Sequence, residues 1–317
     1  MRICVTGAAG YIGGWLVPEL ERRGHEVHGQ DIRPGADARF ALGYQKARQA
    51  WLDEVRPDLV IHLAALYGRV WGERDLASTA DNNAGLTAAL ARDVAAAGAR
   101  LLYVSSSEVY GPAAPGAGPL GGTSPLGPLN MYGLSKKWGE EACRLYCPDG
   151  LVIARLNMPY GPARQPVPHG TVPAHSGRAG TAGYNALHTM TWQASHGMPI
   201  SVHRGTERCF TWIGDAIAGL ALAAESAPAG TLNICRSDEP VLMADLAKRC
   251  VSLVPGCGSV IAETDPPPGV TSRKDLDDTA LRVLGWVPQV SLDEGLPATL
   301  EYMSRFGRDG RWTGHGD

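Results

Sequence analysis

The residues Arg2–Thr6 (RICVT), followed at once by Gly7-Ala8-Ala9-Gly10-Tyr11-Ile12-Gly13 and then by the helical pattern Gly14–Arg23, leave this chain few folds to choose from. A β-branched strand runs into a glycine turn, and the turn runs into a helix. In that setting Gly7 permits the turn, Gly10 lets a pyrophosphate approach the backbone, and Gly13 lets helix and strand pack closely. The start of the helix, with the backbone of Tyr11 and Ile12, offers free N–H donors to an anion. After Gly24, Glu26–Asp31 predicts a second strand that ends in an acid about 20 residues beyond the glycines. Asp31 accepts hydrogen bonds from adenosine ribose hydroxyls and repels a 2′-phosphate, so the order of parts predicts a βαβ unit binding NAD rather than NADP. The plain alternative is a structural βαβ unit with an incidental acid.

Composition narrows the class without deciding the chemistry. The 317 residues are 44% hydrophobic and 19% charged with a formal net charge of -3, which suits a soluble chain of one large or two modest domains and gives nucleic acid no basic surface. The seven cysteines stand singly with no CxxC pair, which indicates neither a disulfide framework nor a zinc site. No leader of signal-peptide type and no apolar run of membrane length is present, so the expectation is a cytoplasmic protein.

The chemistry is expected where Leu101–Gly111 (LLYVSSSEVYG) breaks from an apolar strand into Ser105, Ser106, Ser107 and Glu108. In an open parallel sheet, ligands collect at the carboxyl ends of strands. Ser106 and Glu108 are placed for that role, although serines also cap turns and a loop acid is often merely solvated. Further on, Tyr132 and Lys136 stand four residues apart, on one face of a helix. An ammonium group beside a phenol favours the phenolate, as does a positive nicotinamide ring, so Tyr132 is expected to exchange a proton near pH 7 instead of near its usual value of about 10. Lys136 would also hold the nicotinamide ribose. Ser106, Glu108, Tyr132 and Lys136 are the candidate catalytic residues.

Several segments together carry a resemblance: the GxxGxxG turn, Leu59–Ala65 (LVIHLAA), Asp81–Gly85 (DNNAG), the Ser106, Tyr132 and Lys136 set, Asn157–Pro162 (NMPYGP), Arg208–Asp215 (RCFTWIGD), and Ser272–Asp275 (SRKD) ahead of Leu284-Gly285-Trp286. The chain resembles the extended short-chain dehydrogenase/reductase family. That resemblance implies an α/β fold, a doubly wound parallel (Rossmann) sheet with a smaller discontinuous C-terminal substrate domain. Residues 1–165, joined by about 208–235, would bind NAD, and 166–207 with 236–317 would bind a nucleotide sugar. The family pattern adds Leu63, Ala64, Ala65, Asn82 and Ser105 to the cofactor contacts. It adds Ser107, Asn157, Arg208 and Arg273 to the substrate contacts. Arg208 would grip the nucleotide diphosphate, or else pair on the surface with Glu207 or Asp215; Arg273 would meet either a sugar carboxylate or the diphosphate.

The implied reaction removes a hydride from a sugar carbon, with Tyr132 taking the hydroxyl proton and Ser106 bonding the same oxygen, and so passes through a 4-keto sugar. Ser107-Glu108 resembles UDP-glucuronate decarboxylases and also GDP-mannose 4,6-dehydratases, and the RK…LGW segment favours the decarboxylases. A 4-epimerase or 4,6-dehydratase is the alternative among enzymes. A non-catalytic NAD-binding regulator is the alternative of another kind. The resemblance also implies a homodimer through helices near 82–96 and 132–146. The unpatterned stretch Arg164–Tyr184 is expected to be either a substrate-covering loop or a mobile one, and its His169 and His175 lack a third ligand, so no metal is expected. Helices are further expected over Asn185–His196, Ala216–Ala224, Val241–Leu253 and Leu292–Phe306.

Overall fold

Short apolar runs bounded by glycines and polar turns become the strands of one parallel sheet. The computed structural model describes residues 1–112, 118–164, 185–267 and 270–307. The connection from residue 165 to 184, with His169 and His175, lies outside the described residues, as does the chain after Gly307. The strands are β1 (Arg2–Thr6), β2 (Glu26–Asp31), β3 (Ala38–Arg39), β4 (Leu59–His62), β5 (Arg100–Ser106), β6 (Val152–Leu156), β7 (Pro159–Tyr160), β8 (Ile200–His203), β9 (Glu207–Cys209), β10 (Thr211–Trp212), β11 (Gly230–Ile234), β12 (Pro240–Leu242) and β13 (Ile261–Thr264). The helices are α1 (Gly13–Arg22), α2 (Gln45–Val55), α3 (Arg69–Arg74), α4 (Leu76–Ala80), α5 (Leu86–Ala96), α6 (Met131–Tyr146), α7 (Ala186–Ser195), α8 (Ile213–Ser226), α9 (Met243–Ser252), α10 (Thr279–Val283) and α11 (Leu292–Ser304).

Seven strands pair in the order β11-β6-β5-β4-β1-β2-β3, every pair parallel. A parallel sheet needs helices on both faces, and the two-residue period of the strands sorts their side chains between them. Ile3 and Val5 of β1 join Leu102 and Val104 of β5 in one core, with Leu16 and Leu20 of α1 and Ile217 and Leu220 of α8. The residues in between, Cys4, Leu101 and Tyr103, join Leu52, Leu90, Val94 and Cys143 of α2, α5 and α6 on the other face.

From β1 the chain first builds outward through β2 and β3, then crosses back to β4 and builds the other way. The reversal leaves a crevice between the carboxyl ends of β1 and β4, the usual ligand position in such a sheet. The glycine turn lines it. Gly7 has φ +73°, and a Cβ there would stand 2.8 Å from the Ala64 nitrogen; a Cβ on Gly13 would stand 2.3 Å from the Gly7 carbonyl. A side chain at Gly7 would push the turn off the segment after β4, and one at Gly13 would push α1 off the turn.

A second, smaller core is built from the C-terminal half, where Leu187, Met190, Ile200, Val202, Phe210, Leu246, Leu292 and Leu296 pack together. Two helix boundaries differ from expectation: α8 starts three residues before Ala216, and α9 starts after Val241. Pro240–Leu242 is not the first turn of a helix but pairs antiparallel with β9, and α9 begins only at Met243, because buried Val241 faces its strand partner Arg208 across the register. No described helix is long and apolar enough to cross a membrane.

Candidate active site

At the cofactor end, the floor of the crevice is fastened by a buried polar chain. Thr6 Oγ1 lies 2.7 Å from His62 Nδ1, His62 Nε2 lies 3.0 Å from Thr87 Oγ1, and the Ala64 N–H donates to Thr6 Oγ1 at 3.3 Å. Burial, reinforced by the charge of Lys136, pushes His62 down to about 3, so the imidazole is neutral and acts as a fixed tie between β1, β4 and α5. Leu63, Ala64 and Ala65 follow directly, beside the glycine turn. Asp31, at the carboxyl end of β2, is 5% exposed and accepts the Ala9 N–H at 3.1 Å, which holds the acid against the same turn.

Between Asp81 and Gly85 the helix widens into a π turn ahead of α5. Asn82, the expected cofactor contact, donates to the Ser78 carbonyl at 2.8 Å. Its neighbour Asn83 is fully buried and ties three elements together, accepting from Leu66 N at 2.7 Å and donating to Leu66 O at 2.8 Å and Ser135 Oγ at 3.1 Å. Asn83 thereby fixes the segment after β4 to α6.

Helix α6 carries the reacting groups. Asn130 caps it, its Oδ1 accepting Gly133 N at 2.9 Å. Tyr132, Lys136 and Glu140 then recur every four residues on the face turned to the sheet, and all three are buried. Glu140 anchors that face: it accepts from Arg155 Nε at 2.9 Å, Arg155 Nη2 at 2.8 Å and Ser105 Oγ at 2.7 Å. Burial would raise the Glu140 carboxyl, but Arg155 and Ser105 outweigh it and hold the group below the ordinary range. The Ser105 hydroxyl, expected at the cofactor, is thus engaged by the anchor, whereas Ser106 Oγ accepts the Glu108 N–H at 3.2 Å and its hydroxyl acts on the Tyr132 phenol.

The expected neutral-pH phenol is not a property of the protein alone. Burial pushes Tyr132 well above its usual value, the neighbouring Tyr67 adds to the rise, the Ser106 hydrogen bond opposes it, and Glu108 adds a little more. Lys136 does not offset this, because its ammonium stands over the Tyr103 ring at 4.3 Å. Burial draws Lys136 itself down to about 8, with Cys143 and Glu140 pulling the other way.

On the substrate side, Glu108 is clamped between Lys274 Nζ at 3.0 Å and Asn130 Nδ2 at 2.8 Å. Burial would raise its carboxyl, but Lys274, Asn130 and Arg69 together hold it below the ordinary range. Lys274 is 8% exposed and also donates to the Ser107 carbonyl at 3.1 Å. Arg69, Arg208, Asn130, Tyr110 and Thr271 complete a cleft around this pair. Ser107 Oγ donates to Asn157 Oδ1 at 2.9 Å, and Asn157 Nδ2 donates to the Cys209 carbonyl at 2.9 Å, so these two expected substrate residues brace each other at the edge of the cleft.

Arg208 pairs with neither carboxylate considered for it. It donates to the carbonyls of Glu207, Ser272 and Thr271 at 2.6, 3.1 and 2.8 Å, while the Asp215 carboxylate accepts from Gln289 N and Val290 N. Arg273 is 56% exposed and pairs outward with Glu207 and Asp275. The cation that the 270–276 segment sends into the cleft is Lys274. Successive side chains of an extended segment point to opposite sides, so an Arg-Lys pair can place only one of its charges there.

A doubly wound parallel sheet with a glycine cradle at its switch point, a Ser at the carboxyl end of β5, and a Tyr and a Lys on the helix α6 that follows, defines a dinucleotide-dependent enzyme class. Residues 3–235 match the NAD dependent epimerase/dehydratase family, and the chain belongs to it. The chain is 27% identical over 332 residues to UDP-glucuronic acid decarboxylase 1 of Xenopus tropicalis, covering 96% of this chain and 72% of that protein. It is 30% identical over 328 residues to the UDP-glucose 4-epimerase of Mycolicibacterium smegmatis, covering 95% and 98%. Among solved structures, UDP-glucuronic acid 4-epimerase from Bacillus cereus, in complex with UDP-glucuronic acid and NAD, superposes with a TM-score of 0.80 at 26% identity over 96% of this chain and 99% of that one. The cofactor is NAD, as the sequence leads one to expect, and the cradle that a Cβ at Gly7 or Gly13 would fill suits it.

Proposed function

We propose that the protein is a nucleotide-sugar enzyme working through a transient 4-keto sugar, and that its reaction is decarboxylation of UDP-glucuronate. The observation that carries this reading is the cleft in which one carboxylate, Glu108, faces the three cations Lys274, Arg69 and Arg208. The surplus of positive charge suits a substrate bearing a carboxylate as well as a diphosphate. Bound NAD supplies a hydride acceptor and later a donor at the sugar carbon. Tyr132 moves the proton of the sugar hydroxyl, Ser106 holds the same oxygen, and Lys136 adds positive charge behind them. A ketone beside the ring carbon that bears the carboxylate makes that carbon–carboxylate bond labile. Glu108, kept ionised at neutral pH, orients the sugar ring or accepts a proton, and it is a poor proton donor there. The second reading is 4-epimerisation, favoured by the likeness to the Mycolicibacterium smegmatis enzyme.

Incubation of the purified protein with UDP-glucuronate and NAD, followed by mass spectrometry, tests the proposal. Loss of carbon dioxide is the expected result. Unchanged mass with a shifted retention time would make it an epimerase, and no turnover would remove the substrate assignment.

We also propose a homodimer through α5 and α6. Trp138 and Leu145 are 43% and 71% exposed, and with Leu134 and Ala142 they form an apolar stripe along α6. Light scattering is expected to show a dimer that Leu145→Glu converts to monomer; a wild-type monomer would end this proposal.

A further inference from the structure

Of the three cations that line the cleft around Glu108, two are already engaged. Lys274 Nζ donates to Glu108 Oε1 and to the Ser107 carbonyl, and Arg208 donates to the carbonyls of Glu207, Ser272 and Thr271. Arg69 is exposed, and its guanidinium makes no hydrogen bond or ion pair with any described residue. Its charge is also unbalanced, because Glu108 is the one carboxylate among the described residues lining the cleft and the Lys274 ammonium already faces it at 3.0 Å. Burial draws both Arg208 and Lys274 below their ordinary ranges, Glu108 opposes the shift, and the charge of Arg69 adds to it. Three cations around one anion favour the entry of a second anion.

Position decides which anion Arg69 meets. It is the first residue of α3, and α3 is fastened to the start of α6: a Cβ on Gly72 would stand 2.8 Å from the Tyr132 nitrogen, and Glu73 Oε1 accepts the Met131 N–H at 2.7 Å. Two residues before Arg69, the Tyr67 ring packs edge-on against the Tyr132 ring. Arg69 therefore reaches the cleft from the side of the reacting phenol, where the sugar ring would lie. Arg208 reaches it from β9, tied to the 270–276 segment. Arg273, the other cation considered for a sugar carboxylate, is spent on Glu207 and Asp275 outside the cleft. A guanidinium presents five N–H donors in a planar fork that matches a carboxylate bidentately, and at Arg69 that fork is free.

We propose that Arg69 is the specificity-determining residue that grips the carboxylate of the substrate sugar. The inference rests on the reading above that the sugar bears a carboxylate, and it names the side chain that selects it. The test is calorimetric titration of the NAD-loaded full chain with UDP-glucuronate and with UDP-glucose, in the Tyr132→Phe background so that the sugar is not turned over. That background is expected to bind UDP-glucuronate about tenfold or more tightly than UDP-glucose, and the further change Arg69→Met to weaken UDP-glucuronate by about ten- to a hundredfold while moving UDP-glucose by less than about threefold. Arg69→Lys keeps the charge without the fork and is expected to lie between, which preserves the test should the methionine variant fold poorly. A preference for UDP-glucuronate that survives Arg69→Met overturns the role of Arg69 and leaves the carboxylate-bearing substrate standing. No preference in the background protein overturns both. Equal weakening of the two sugars assigns Arg69 to the nucleotide part they share and likewise overturns the proposal.

Discussion

Replacing Tyr132 by Phe is expected to lower turnover by about a thousandfold or more while leaving the fold and cofactor binding intact. The substitution removes one hydroxyl and nothing else. The ring stays packed edge-on against Tyr67 at a centroid distance of 5.5 Å, so stability is expected to change by no more than about 1 kcal/mol. Catalysis loses far more. Positioned proton transfer contributes about a hundred- to ten-thousandfold, and every reaction under consideration starts by moving the proton of the same sugar hydroxyl. Burial holds the wild-type phenol protonated in the protein alone, so an apo titration of Tyr132 is expected to show no ionisation near neutral pH. The measurement is product formation from UDP-glucuronate by the variant, beside NAD binding by calorimetry. Full turnover with intact binding would remove Tyr132 from the reaction.

What could be read in the sequence was local or periodic. Strands buried on both faces read as unbroken apolar runs, and β4 and β5 were visible for that reason. The glycine turn was visible because Gly7 and Gly13 are demanded by backbone approach within one strand–turn–helix unit. Tyr132 and Lys136 share a helix face by spacing alone. What could not be read depends on distance across the fold or on a shift of register. Lys274 meets Glu108 over 166 residues of chain, and the sequence Arg273-Lys274 announces a cation without saying which one turns inward. The π turn at Asp81–Gly85 inserts extra backbone, so that Asn83, beside the asparagine counted from the motif, makes the buried ties. Ser105 and Ser106 are adjacent letters, yet the Ser105 hydroxyl goes to Glu140 while Ser106 Oγ accepts the Glu108 N–H. In the protein alone burial raises Tyr132, and burial is a quantity that residue spacing does not reveal.

Removing Lys274 is expected to be the next most damaging change, through Glu108. Lys274→Met keeps most of the stem volume and takes away the ammonium 3.0 Å from the carboxylate. Glu108 then keeps the Asn130 donor and the more distant charges of Arg69 and Arg208, while its burial, no longer opposed by Lys274, drives the carboxyl upward. In the wild type that carboxyl is held below its ordinary 4.5, so the pair's contribution to stability is complete above that value and is lost as pH falls through the lower folded value. In Lys274→Met the protonated form persists to higher pH. The acid limb of the turnover profile is expected to move upward, with a loss of about tenfold at about pH 6 that shrinks toward alkaline pH. Stability is expected to fall by about 1–3 kcal/mol, since breaking one side of a shielded pair strands the other charge. The double variant Glu108→Gln with Lys274→Met strands neither, and it is expected to regain the stability without regaining the turnover. A Lys274→Met profile that superimposes on the wild type would reduce the pair to a fastening of the 270–276 segment against the tip of β5, and Glu108 to an acid whose charge the reaction does not use.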